Sequence, residues 1–274
     1  MFLADFHIHS SCSDDACNTM AEMAEAERNM GINCICFTDH CDLEDCKTGE
    51  FDPCYFDNWG SMQTQYAEAA EANPAMDIRL GVELGAVNHR PEEAAAVAAT
   101  KGLDFIIASI HQNRGCEDFY YLDYKSEEHC NQLINDYLLE YLEIADLDVF
   151  DVLGHIGYAR RYMVRAGFKG AITLRRHGDI LEELFKKLIQ NGKGVELNCS
   201  GYRNPKLGEA FPVPPVLKLY KDLGGEIVTV GSDAHRTRDA GTYIRKGLHF
   251  LRRMGYNYVT VFKDRKPEFV KIKD

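Results

Sequence analysis

The chain has 274 residues, 45% of them apolar, and a formal net charge of −12. Its length is close to the ~250 residues that one α/β barrel fills, and no stretch approaches the ~20 apolar residues that span a bilayer. The acidic balance, the lack of a basic run and an N-terminus without signal-peptide regions lead us to expect a cytoplasmic protein with no nucleic-acid or membrane partner.

Apolar runs near residues 2–6, 33–38, 78–83, 104–110, 148–153, 194–198 and 226–231 read as seven strands. The first helix follows Thr19, where Glu22 three residues on completes a capping-box signal. Met20, Met23, Ala24 and Met30 mark its apolar stripe, and Gly31 stops it. Further helices are expected over 57–73, 91–101, 126–146, 173–191, 213–223 and 238–254, with a peripheral strand from Tyr258 to Phe262. This alternation without a linker predicts a single α/β domain over residues 1–274 built on a parallel sheet. The long connections from Cys41 to Asp57, Gln112 to Lys125, Ile156 to Ile172 and Ser200 to Pro212 all follow strands, so they should roof one face.

The chemistry collects where those strands end. His7, His9, His40, His111, His155 and His235, six of the ten histidines, follow apolar runs, as do Asp39, Glu83 and Asp233. His7-Ile8-His9 and Asp233-Ala234-His235 each put two donors on one side of an extended segment. Imidazole mixed with carboxylate suits zinc, manganese or iron. The ten cysteines form no C-x-x-C pair: Cys12 and Cys17, Cys34 and Cys36, and Cys41 and Cys46 have other spacings, and they read as reduced and structural or incidental. His129, His177 and His249 fall among charged neighbours in helices and are expected to be exposed, whereas His89 could approach the mouth of the site.

In order along the chain stand Asp5-Phe6-His7-Ile8-His9-Ser10-Ser11-Cys12-Ser13-Asp14-Asp15, Phe37-Thr38-Asp39-His40, Gly81-Val82-Glu83, Ser109-Ile110-His111, Gly154-His155 and Gly231-Ser232-Asp233-Ala234-His235. Together they resemble the motifs of the PHP (polymerase and histidinol phosphatase) superfamily. Gly154-His155-Ile156 with Arg160-Arg161-Tyr162, and Val195-Glu196-Leu197-Asn198 with Ser200-Gly201-Tyr202-Arg203, resemble its stand-alone histidinol-phosphate phosphatases. Gly157 departs from members that carry an acidic residue there.

The resemblance implies a distorted (β/α)7 TIM-like barrel and three divalent transition metals. His7, His9, Glu83 and Asp233 would hold the first, and Glu83 would bridge to a second on His111 and His155. Asp15, with Asp14 as the alternative, would join His40 and His235 on the third. Asp39 would orient an imidazole. The implied substrate is a small phosphomonoester, L-histidinol phosphate favoured, attacked by a metal-bound hydroxide without a phosphoenzyme. Another small phosphomonoester or nucleotide, or a non-catalytic metal-binding module, are the competing readings. Arg160, Arg161 and Arg203 are the candidates for gripping phosphate, and Asp233 and His235 for protonating the leaving alkoxide. The acidic run Asp42, Glu44 and Asp45 is placed to meet a substrate amine.

Overall fold

A computed structural model describes residues 1–45 and 47–273; Cys46, one of the cysteines read as incidental, and the last residue lie outside the described residues. Seven parallel strands form the barrel in the order β1 (Ala4–Ile8), β2 (Cys34–Phe37), β4 (Asp77–Gly85), β5 (Phe105–Ser109), β6 (Val152–Leu153), β7 (Gly194–Asn198) and β8 (Val228–Gly231). The ring nearly closes where the chain beyond β8 meets β1, with Asp233 N donating to His7 O at 2.7 Å and His9 N to Ala234 O at 2.9 Å. A short strand not anticipated, β3 (His40–Asp42), pairs with the upper half of β4 and sets His40 beside Glu83.

Helices α1 (Met20–Asn29), α2 (Cys54–Ala72), α3 (Pro91–Ala98), α4 (Glu127–Ile144), α6 (Leu174–Gln190), α7 (Pro214–Asp222) and α8 (Ile244–Arg253) follow the expected order, and a short α5 (Arg160–Arg165) occupies a connection read as loop. The capping box at Thr19 and Glu22 forms. Met20, Met23 and Ala24 are buried, but Met30, at the helix cap, is 53% exposed. Helix α8 begins six residues later than expected, because Gly241 and Tyr243 take positive φ of 65° and 64° and break the helical run. His177 is also a correction: it is buried, and its Nδ1 accepts the Thr173 N–H at the start of α6.

Period-two alternation sorts each strand into an inner and an outer row. On β4 the inner row is Arg79, Gly81 and Glu83. At Gly81 a Cβ would come within 2.6 Å of Phe105 O and 2.9 Å of Cys36 Sγ, so only glycine fits this waist. On β1 the register shifts between Asp5 and Ile8, which lets Phe6 join the lower interior while His7 turns into the upper one. Below the waist Ala4, Phe6, Cys34, Cys36, Phe105, Ile107 and Val152 pack together. The antiparallel hairpin β9 (Tyr258–Lys263) and β10 (Lys266–Lys271) seals that end with Val261 and Phe262. Arg79 locks it by donating to Phe262 O at 2.5 Å and pairing with Asp77 at 2.7 Å and Glu268 at 3.2 Å.

Phe262 is 2% exposed and packs on Phe105 at 4.9 Å between centroids. Phe262→Ala should therefore lower unfolding stability by about 3–5 kcal/mol, the usual cost of an aromatic cavity. A shift in urea midpoint worth less than ~1 kcal/mol would show that the hairpin does not plug the barrel. Among the described residues no helix is long and apolar enough to cross a membrane.

Candidate metal centre

Above the waist, donors from strand ends around the ring converge on Glu83, which is 1% exposed. Its Oε2 faces His7 Nε2 at 3.2 Å, His9 Nε2 at 3.4 Å and His40 Nδ1 at 3.0 Å. Its Oε1 faces His155 Nε2 at 2.8 Å and His111 Nε2 at 3.3 Å, and accepts the Ser109 hydroxyl at 2.6 Å. One carboxylate thus splits five imidazoles into two groups, one to each oxygen.

Asp233 closes the ring, its Oδ1 lying 4.0 Å from His7 Nε2, 3.8 Å from His9 Nε2 and 3.5 Å from His235 Nδ1. Asp15 stands outermost, with Oδ2 3.1 Å from His235 Nε2 and Oδ1 3.6 Å from His40 Nε2. Asp14 contributes to the rim of the cleft instead. All nine residues anticipated as metal ligands are therefore in one cluster. Among the described residues four triads offer mutually close ligand atoms: His7 with His9 and Asp233; His7 with Glu83 and His155; His40 with Glu83 and His111; and His9 with His40 and His235.

The donor chemistry fits divalent cations. His7 Nε2, His9 Nε2 and His40 Nδ1 are buried without a hydrogen-bond partner, although carboxylate oxygens lie close by. A cation between ring nitrogen and carboxylate satisfies both, and uncharged imidazole is the form that binds it. In the metal-free protein protons take the cations' place. Burial opposes charge on His7, but Glu196 and Glu83 outweigh it and hold the ring well above its ordinary pKa. His111 rises well above the usual value in the same way, against its burial, through Asp42 and Glu83, and His40 is pushed up to about 9, mainly by Glu83. Burial and the neighbouring His235 and His40 push His9 well down. Burial would raise Glu83, yet His7, His111 and His40 keep it well below the carboxylate range.

Folded-state pKa values raised on His7, His40 and His111 mean that these rings hold protons at neutral pH, which metal must displace. Zinc or manganese loading is expected to release about one proton or more per chain, and affinity should fall as pH drops. Calorimetry in buffers of different ionisation heat reads this directly; heats independent of buffer would contradict it.

A second ring of residues aims the ligands. Glu196, on β7, accepts from His7 Nδ1 at 2.7 Å and from the His155 N–H at 2.8 Å. Asn198 bridges Glu196 to Asp233 at 3.2 and 3.3 Å. The sequence reading missed both roles. The signal was there: a glutamate inside the apolar run Gly194–Asn198 must be buried and therefore partnered. Asp42 fixes His111 through Nδ1 at 2.9 Å. Asp39 acts on an imidazole at one remove, accepting from Ser13 Oγ at 2.7 Å while Ser13 Oγ meets His9 Nδ1 at 3.2 Å. From α4, Tyr137 and Tyr141 donate to the carbonyls of His155 and Gly154 at 3.1 and 2.9 Å and so hold that turn.

The arginines separate. Arg161 reaches the cluster: its Nη2 donates to Ser200 Oγ and lies 3.3 Å from Asp233 Oδ2, and its guanidinium stacks 5.1 Å over Tyr158. Arg160, also expected to meet phosphate, instead contacts Glu209 and Lys169 O. Arg203, in the turn after β7, gives both terminal nitrogens to main-chain carbonyls, Ser232 O at 2.6 Å and Asp233 O at 2.7 Å.

The acidic run is also otherwise engaged. Asp42 serves His111, Glu44 pairs with His89 and Arg90, and Asp45 caps a turn through Lys47 and Thr48 N–H groups. His89 does not face the mouth; it is clamped between Glu44 at 3.0 Å and Glu140 at 2.6 Å. The cleft above the cluster is walled by Asp14, Asp15, Asp52, Asp118, Tyr55 and Tyr158.

The family model of the PHP domain matches residues 5–200. Over 259 residues the chain is 26% identical to a protein of Thermotoga maritima named "Probable histidinol-phosphatase", covering 94% of this chain and 95% of that one. Over 266 residues it is 24% identical to a Lactococcus lactis protein named "Histidinol-phosphatase", covering 96% and 95%. Its fold matches the crystal structure of histidinol phosphate phosphatase from Lactococcus lactis, complexed with zinc, L-histidinol and phosphate. That match has a TM-score of 0.76 at 24% identity and covers 97% of this chain and 98% of the other. With the family match spanning most of the barrel and the strand-end donors in place, the chain belongs to the PHP domain family.

Proposed function

We propose that the chain is a metal-dependent phosphatase in which residues 1–274 act as one unit on small phosphomonoesters. L-histidinol phosphate is the favoured substrate, hydrolysed to L-histidinol and phosphate. The observation that carries this reading is the split of five buried imidazoles between the two oxygens of Glu83, with Arg161 beside Asp233. The relatives' names and the zinc, histidinol and phosphate of the Lactococcus lactis structure support the substrate choice.

Three divalent ions, zinc, manganese or iron, fit the donors. His7, His9, Glu83 and Asp233 would hold the first; Glu83, His111 and His155 the second; Asp15, His40 and His235 the third. Bound there, such ions lower the pKa of water toward ~7 and neutralise charge on phosphoryl oxygens. The chain's own groups position the substrate. Arg161 presents its fork to the phosphate, its plane set by the Tyr158 ring. His235, 23% exposed and lying between Asp15 and Asp233, would serve the third cation as an uncharged ring, so the leaving alkoxide would take its proton from water in the cleft above. Asp14, Asp52 and Asp118 on the cleft wall favour a leaving group that carries a cation.

Turnover of metal-loaded protein on histidinol phosphate, an uncharged aryl phosphate and a nucleoside monophosphate tests the reading. The expected result is a kcat/KM for the aminated ester higher by ~10²-fold or more, as when polar groups of a site are left unpaired by the wrong substrate. Preference for the nucleotide would move the substrate assignment, and no turnover of any ester would leave a metal-binding module.

A further inference from the structure

Asp233 is a non-glycine residue in the left-handed region, φ 55°, at the point where the chain leaves β8 and must deliver a carboxylate to the cluster. Aspartate tolerates this conformation better than most residues, but it persists only where the surroundings fix it. The main chain is pinned from one side by Asp233 N donating to His7 O at 2.7 Å. From the other side come the two terminal nitrogens of Arg203, at 2.6 Å from Ser232 O and 2.7 Å from Asp233 O. Arg203 Nη1 also lies 3.4 Å from Thr242 Oγ1, and that hydroxyl is itself anchored on Asp239 O at 2.7 Å. The guanidinium therefore ties three segments together: its own turn at Ser200–Arg203, the Asp233 peptide and the turn before α8.

We propose that Arg203 is a positioning residue that sets the aim of the Asp233 carboxylate, and hence cation affinity, and is not a phosphate ligand. This rests on the metal reading of the centre. A lysine offers one ammonium and cannot bond two successive carbonyls in a plane as the fork does. Removing the grip frees the Ser232–Asp233 peptide to rotate, and the carboxylate loses its registry with His7, His9 and His235.

The test is titration of metal-free protein with Mn²⁺ and Zn²⁺, without phosphate, for wild type, Arg203→Lys and Arg203→Ala, followed by kinetics at saturating metal. Loss of a group that orients a ligand is expected to weaken binding of a cation by about 10–100-fold in Arg203→Ala. The loss should be smaller in Arg203→Lys, and added guanidinium ion should recover part of it. At saturating metal kcat should fall while KM stays within about 2-fold. Unchanged isotherms with a raised KM would make Arg203 a phosphate ligand and overturn the proposal. If Arg203→Ala fails to fold, Arg203→Lys decides by the same comparison. A wild type that takes up neither cation would remove the metal reading and this proposal with it, whereas binding by wild type and variants alike removes this proposal alone.

Discussion

Glu83→Gln is expected to abolish most metal uptake and, with it, turnover. The substitution keeps the shape but removes the one charge that five imidazoles share across both carboxylate oxygens. Taking one partner from a buried charged cluster costs roughly 3–5 kcal/mol, equivalent to about 10²–10⁴ in binding affinity. Elemental analysis should show substoichiometric metal, and kcat should fall at least in proportion, with the far-ultraviolet circular dichroism unchanged. The metal-free variant should also be less stable than metal-free wild type, because His7, His40 and His111 lose the carboxylate that holds their protons. Since those folded-state pKa values are raised and that of Glu83 is lowered, the difference is fullest between the ordinary carboxylate and imidazole ranges. It shrinks as pH rises through the raised histidine values and as pH falls below the ordinary carboxylate range toward that of Glu83. Wild-type metal content in Glu83→Gln would show that the glutamate is a bystander.

Arg161→Ala is expected to separate phosphate recognition from metal binding. Its guanidinium lies beside Ser200 and Asp233 and over the ring of Tyr158, a residue of the cleft wall. A hydrogen bond to a charged group contributes about 1.5–3 kcal/mol, so KM for a phosphomonoester and Ki for inorganic phosphate should rise by about 10–100-fold. Metal stoichiometry should stay at the wild-type value. Arg161→Lys keeps the charge without the fork and should recover only part of the loss. Unchanged Ki for phosphate would remove Arg161 from the substrate site. With Arg203, the pair makes a contrast: the residue at 161 should move phosphate constants, and the residue at 203 metal constants.

Much of the barrel was legible because parallel strands buried on both faces are continuous apolar runs, and the donors follow those runs directly. Glu83 closing Ile78–Val82 and His111 following Phe105–Ile107 need only the period of a strand to be placed on the open face. The strands escaped notice where that signal is absent. In β10, Lys266–Lys271, most residues are exposed and charged residues outnumber apolar ones, and β3 is three residues long.

Side chains on loops were harder to read, for a physical reason. Neighbouring residues Arg160 and Arg161 are chemically alike, yet one meets Glu209 and the other Asp233, because the short helix α5 sends them to different faces. Arg203 found carbonyls exposed by the left-handed turn at Asp233, which no local pattern announces. The run Asp42, Glu44 and Asp45 looked like a receptor for an amine, but pairing with His111, with His89 and Arg90, and with turn amides claims each carboxylate in turn. His177 looked exposed among charges, although its ring fits beneath the start of α6 as a neutral acceptor.

The most direct measurement is metal-specific anomalous scattering from crystals of the zinc- or manganese-loaded protein soaked with phosphate. Peaks should appear between Glu83 and the two imidazole groups at its oxygens, with a further peak at Asp15, His40 and His235 and phosphate against Arg161. Absence of any peak within the cluster, in crystals where His7, Glu83, His155 and Asp233 keep these positions, would contradict a cation-activated phosphoesterase.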